Sequence, residues 1–160
     1  MRLALSVFAD YHQFHVLDER AEGNHADSWT PQAFARMLAV ASGTLAVGTA
    51  RNIDVPVTVE VLEAEPTAEF SGCDLVNEAT LEVTSGTVLV AGCTDYLPDA
   101  RRFTIPVGRY RVRVAYRGLG TVSPDQLEGQ DRYQVTLWRD DRAVEPRTLH
   151  DARATPGGGG

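Results

Sequence analysis

The chain has 160 residues, 43% of them hydrophobic and 23% charged, with a formal net charge of −7 at pH 7. That length suits one domain burying roughly two-thirds of its unfolded surface, and no stretch approaches the ~20 apolar residues of a membrane-spanning helix. The charge is uneven: residues 1–100 hold 15 acids against 4 arginines, residues 101–160 hold 7 acids against 11 arginines, and lysine is absent.

Most of the chain alternates at period 2, the pattern of half-buried strands. The first expected strands are Arg2–Val7 and Phe14–Leu17. The apolar run at Met1–Phe8 is broken by Asp10 and has no small-residue cleavage site, so it does not read as a signal peptide and a cytoplasmic protein is expected. A helix is expected over 31–41. Thr30 is a good N-cap and Pro31 fits the first helical position, while Trp29 and Phe34 have the spacing of a hydrophobic staple. Phe34, Met37, Leu38 and Ala41 would then share one face, and Gly43 would supply the stop.

Further strands follow at Gly43–Val47 and Val55–Leu62. Thr80–Thr84 and Thr87–Ala91 flank Ser85–Gly86, a two-residue hairpin signal. Arg102–Ile105, Arg109–Tyr116 and Tyr133–Trp138 complete the set. The expected fold is all-β: a two-sheet β-sandwich of 8–9 strands with one short helix. It would form a single domain over 1–150, followed by a flexible Gly-rich tail at 151–160. The loops most open to function are Arg20–Ser28, Pro66–Asn77, Gly92–Arg101 and Gly118–Asp131.

Signatures of catalysis are missing from the sequence. Asp10, His12 and His15 lie within six residues and invite a metal or acid–base reading. In a strand, however, His12 and His15 point to opposite faces. No G-x-S-x-G or phosphate-binding loop is present. Cys73 and Cys93 form no C-x-x-C pair and are expected as free thiols, with a disulfide left open. No catalytic residue, metal or cofactor is therefore assigned. The stripe Arg109, Arg111, Arg113 and Arg117 suits a solvated outer face, or pairing with acids on neighbouring strands.

The acidic block is the sharper signal. Between Arg51 and Arg101 there is no basic residue, yet Asp54, Glu60, Glu63, Glu65, Glu69, Asp74, Glu78, Glu82, Asp95 and Asp99 all occur. Such a surface repels nucleic acid and attracts a basic protein. The residues expected to read a partner are Glu63, Glu65, Glu69, Asp74, Asp95 and Asp99, with Tyr96 as an amphipathic anchor. Phe14, Trp29 and Phe34 are expected in the core, and Arg51 beside Asp54 or Asp10.

Several pieces taken in order carry a family likeness. They are Tyr11–His12–Gln13–Phe14, then Trp29–Thr30 ahead of a helix ending near Ala41–Ser42–Gly43, then Ala50–Arg51–Asn52. Last comes Arg102 to Tyr110 with its Pro-x-Gly-x-Tyr turn. Over about residues 5–116 the chain resembles the bacterial competence protein J family, whose namesake inhibits a DNA-entry nuclease. The resemblance implies a small cytoplasmic all-β protein that binds and silences a nuclease or nuclease-like toxin without catalytic residues of its own. The competing expectation is a small-molecule or metal-binding β-sandwich enzyme using the Asp10, His12 and His15 region.

Overall fold

Apolar residues at alternate positions need a second apolar face to pack against, and the chain supplies it with two sheets. The computed structural model describes residues 1–153. Its elements are β1 (Arg2–Phe8), β2 (Gln13–Asp18), α1 (Pro31–Arg36), β3 (Leu38–Ala41), β4 (Thr44–Gly48) and β5 (Asp54–Leu62). They continue with β6 (Leu75–Val83), β7 (Thr87–Gly92), β8 (Arg101–Thr104), β9 (Gly108–Arg117), β10 (Arg132–Arg139) and β11 (Arg147–Asp151).

One sheet has the order β1-β5-β10-β9-β6-β11 and the other β3-β4-β2-β7-β8. Pairing is antiparallel except between β5 and β10, which run parallel with Tyr133 opposite Val57. The core lies between the sheets. From the larger come Val57, Leu81, Val112, Val114, Tyr133 and Leu137; from the smaller, Phe14, Val16, Leu45, Val88 and Val90. Burying each of these side chains is worth about 1.5–3 kcal/mol.

The all-β sandwich expected from periodicity is observed, with local departures. The helix ends at Arg36, because Met37 turns left-handed at φ 60° and caps it. Leu38–Ala41 is instead an edge strand paired with β4, with Leu38 buried. The apolar residues there fit a period of 2 as well as 3.6, and pairing with β4 decides between them. Gly43, at φ 73°, lies in the turn that follows rather than at a helix end. Thr30 does cap α1, its hydroxyl accepting from the Ala33 amide at 3.1 Å. Of the three expected core aromatics only Phe14 is fully buried; Trp29 is half-buried and Phe34 is 65% exposed. Polar β11 adds a strand not foreseen. It extends to Asp151, and Arg153 donates to the Ala35 carbonyl at 2.7 Å. The remainder of the expected tail, 154–160, lies outside the described residues. Both cysteines are free thiols.

The expected hairpin at Ser85–Gly86 is a crossover. β6 pairs with β9 and β11 in the larger sheet, whereas β7 pairs with β2 and β8 in the smaller. The physical reason is Asp18, only 1% exposed at the end of β2. Its carboxylate accepts from the Thr84 and Ser85 amides at 3.1 and 3.0 Å and from both hydroxyls at 3.0 and 2.8 Å. The Arg20 amide adds a fifth bond at 3.1 Å. These bonds pin the passage between sheets to β2 and prevent β6 from folding back on β7. Burial would raise the Asp18 pKa, but the hydrogen bonds from Ser85, Thr84 and Arg20 outweigh it and hold the group below its ordinary value.

Replacing Asp18 with Ala leaves several buried donors unmatched and should lower the unfolding free energy by about 3 kcal/mol. Asp18→Asn, which keeps one acceptor oxygen, should cost less. Urea titration followed by fluorescence checks both, and equal stability in the Ala variant would refute the role given to this carboxylate.

Candidate partner-binding surface

The outer face of the larger sheet is where the acidic block and the arginine stripe meet. Outward residues of β6 and β9 are register partners, Glu78 opposite Arg113 and Glu82 opposite Arg109. Arg109 Nε lies 2.5 Å from Glu82. Glu78, 1% exposed, receives Arg113 at 2.8 Å, Arg147 at 2.9 Å and Arg111 at 3.5 Å. Arg111 also reaches Asp140 and the Arg142 carbonyl, both at 3.1 Å. The Arg113 guanidinium lies over the Trp138 ring at 4.9 Å and the Phe70 ring at 5.5 Å. Within the stripe, Arg111 is thus covered by the 140–147 segment and Arg113 by the 63–74 loop, while the Arg109 side chain stays 40% exposed. Pairing across strands, the second use expected for it, is the one observed.

That pairing removes part of the acidic block from any partner. Glu78 and Glu82 are neutralised internally, and Glu65 lies 3.8 Å from Arg113. The seven expected contact residues divide between two loops. Glu63, Glu65 and Glu69 are exposed on the loop joining β5 to β6. Glu69 borders a cavity of about 200 Å³ with Glu60, Phe70, Arg113 and Arg117. Hydrogen bonds from the Ser71 side chain and amide hold the Glu69 carboxyl below its usual range. Asp74 is half-buried and accepts from the Leu119 amide at 2.9 Å, which ties down the 118–131 loop.

Asp95, Tyr96 and Asp99 sit on the loop joining β7 to β8. Asp95 and Asp99 line a groove beside Ala4–Val7 of β1. The Asp95 carboxylate accepts from the Gly92 amide at 2.8 Å, and Arg102 braces the loop through the Leu97 and Pro98 carbonyls. Tyr96 is 71% exposed. The cavity and the groove share no lining residue. Glu60, which is not among the seven expected contact residues, also stands on the cavity wall.

Arg51 pairs with neither Asp54 nor Asp10. It reaches Asp131 at 2.6 Å, and Asp131 also accepts the Tyr133 hydroxyl at 2.7 Å. No sequence spacing signals a partner 80 positions away.

Asp10, His12 and His15 do not converge. Asp10 accepts from the Tyr11 amide and the Thr94 hydroxyl. His12 Nδ1 lies 3.3 Å from the Thr49 carbonyl. His15 packs against His25, ring centroids 4.8 Å apart, with its Nε2 2.9 Å from Gln13. Among the described residues no three His, Cys, Asp or Glu side chains are grouped to hold a metal ion. Burial, then the charge of His25, pushes the His15 pKa down to about 4, and burial lowers that of His25.

No protein-family model and no curated protein matches the chain. Solved structures do. The crystal structure of ComJ, inhibitor of the DNA degrading activity of NucA, from Bacillus subtilis is 19% identical, with a TM-score of 0.60, over 88% of this chain and 96% of that one. The structure named crocagin biosynthetic gene J is 14% identical, with a TM-score of 0.53, over 87% of this chain and 96% of that one. What they share with this chain is the fold. The likeness to competence protein J first visible in short motifs holds at that level. No described helix is long and apolar enough to cross a membrane.

Two outcomes follow from these contacts. Glu78→Ala strands Arg111 and Arg113 in a nearly dry site and should cost about 3–5 kcal/mol in urea unfolding; a neutral result would show that the arginines find other partners. The histidine pair makes stability fall in mild acid. Below about pH 6.5 an unfolded chain takes up protons that the folded chain refuses until about 4, so the contribution is complete above 6.5 and drains across that window. Melting temperature measured from pH 7.5 to 4.5 should decline, and His15→Gln should flatten the slope.

Proposed function

We propose that this protein is a non-enzymatic inhibitor, or immunity-type protein, that binds and occludes a basic nuclease or nuclease-like toxin in the cytoplasm. The observation that carries the reading is the fold held in common with the NucA inhibitor over nearly the whole chain. The surface chemistry agrees with it. Glu63, Glu69, Asp95 and Asp99 are exposed and form no ion pair among the described residues. Carboxylates presented in this way take the place of the phosphates that a basic nuclease attracts.

The two acidic loops have separate tasks. The 63–74 loop rests on the arginine layer and presents Glu63 and Glu69 as steering charges, with Glu65 partly satisfied by Arg113. The 93–100 loop presents Asp95 and Asp99 around Tyr96, whose ring supplies apolar contact and slows dissociation. Asp74 holds its neighbouring loop in place. Neither nucleic acid nor membrane is a partner in this reading, and no cofactor takes part.

The test is inhibition of DNA cleavage by a nuclease encoded beside this chain's own gene, at low and high salt. Inhibition should weaken as salt rises. The reversals Glu63→Arg and Asp99→Arg, at carboxylates that accept no hydrogen bond among the described residues, should each slow association several-fold while melting temperature stays within ~2 °C of the parent. Absence of any complex at low salt would sink the proposal.

A further inference from the structure

A third concave place lies away from both acidic loops. Tyr11, His12, Trp29, Phe34 and Met37 surround a cavity of about 420 Å³ that Gly48–Thr49 closes. Three of these residues, Tyr11 and His12 at φ 57° and Met37 at φ 60°, occupy the left-handed region. Among the other described non-glycine residues only Gln126 does so. Each such residue costs about 1 kcal/mol or more, so backbone strain is concentrated where this cavity is shaped.

The walls are held firmly. Trp29 donates from its indole nitrogen to Gln13 at 3.2 Å and packs on Phe34 with ring centroids 5.1 Å apart. The Met37 carbonyl accepts from the Gly48 amide at 2.8 Å and from the core Tyr116 hydroxyl at 2.6 Å. Yet Tyr11 and Phe34 remain 71% and 65% exposed. Large aromatic rings left in water beside a braced wall are what an interface anchor site requires.

Charge selects the occupant. No Asp, Glu or Arg side chain lines the cavity, and aromatic ring faces attract cations. Asp10 directly precedes Tyr11, and Asp27 stands two residues before Trp29; neither is ion-paired among the described residues, and the whole chain carries −7. The molecule already uses this chemistry elsewhere, where Arg113 lies against both Phe70 and Trp138. A planar guanidinium stacks on such rings better than a compact ammonium does.

We propose that this pocket receives an arginine side chain of the partner protein, with the guanidinium against Tyr11, Trp29 and Phe34. The assignment rests on the reading above that the partner is a basic protein, and it places a specific anchor apart from the steering charges.

The two tryptophans make the test direct, because Trp138 is 2% exposed and reports the fold while Trp29 reports the pocket. In the ¹⁵N-labelled protein, capped arginine (N-acetyl-arginine amide) should shift the Trp29 indole resonance saturably and leave that of Trp138 in place. The uncharged citrulline counterpart should bind about tenfold more weakly. Tyr11→Ala and Phe34→Ala, both at exposed positions, should weaken arginine about tenfold with the Trp138 signal unchanged. No saturable Trp29 shift, or equal binding of citrulline, overturns the assignment. Arginine binding by a protein that inhibits no nuclease keeps the pocket and removes the partner reading. A nuclease complex that leaves Trp29 and both pocket variants unaffected does the reverse.

Discussion

One buried carboxylate organises the outer face of the larger sheet. Glu78 meets three guanidinium groups that arrive from β9 and β11, and it is the closest anion to most of them. A charge so placed is stable only while all its partners are in position. β11, the 63–74 loop and the 140–147 segment are therefore held by the same requirement. Arg111 shows how tightly the demand is drawn: its terminal nitrogens are engaged while its buried Nε has no partner. The surface around this layer inherits its rigidity, and the exposed carboxylates project from a braced loop.

The strand architecture was largely legible because alternation survives along β5, β9 and β10, whose inward residues are valine, leucine and tyrosine. The helix boundary was not. Residues 37–41 satisfy either periodicity, and the choice between them lies in a pairing with β4 that only the folded chain supplies. β11 was equally hidden. Arg147–Asp151 has no apolar pattern, and the strand is held by Glu78 and Asn77 through Arg147 and Thr148. The crossover at Ser85–Gly86 carries the chemistry of a tight hairpin turn and becomes something else because Asp18 claims its donors.

The charge block was legible as composition and misleading as a surface. Glu78 and Glu82 both lie on the outer face and pair with arginines of β9, and a strand pattern contains no information about those pairings. The aromatic pocket had the opposite fate. Trp29 and Phe34 read as core residues, and Tyr11 and Gln13 only as part of the family likeness, since nothing in a linear chain shows that positions 11–13, 29–37 and 48–49 close around one space. Two classes of surface thus coexist on one scaffold: exposed carboxylates on two loops, and aromatic rings around one cavity.

The single parallel pairing has a consequence for how the protein is made. β5 is flanked by β1 on one side and by β10 on the other, and β10 comprises residues 132–139. A nascent chain that has emerged through residue 100 therefore holds β5 with one open edge, a template for pairing with another molecule. Contacts this distant in the chain slow folding. The larger sheet cannot close until the ribosome has delivered residues 132–139, so a chain cut short before β10 would be an adhesive fragment rather than a smaller working domain.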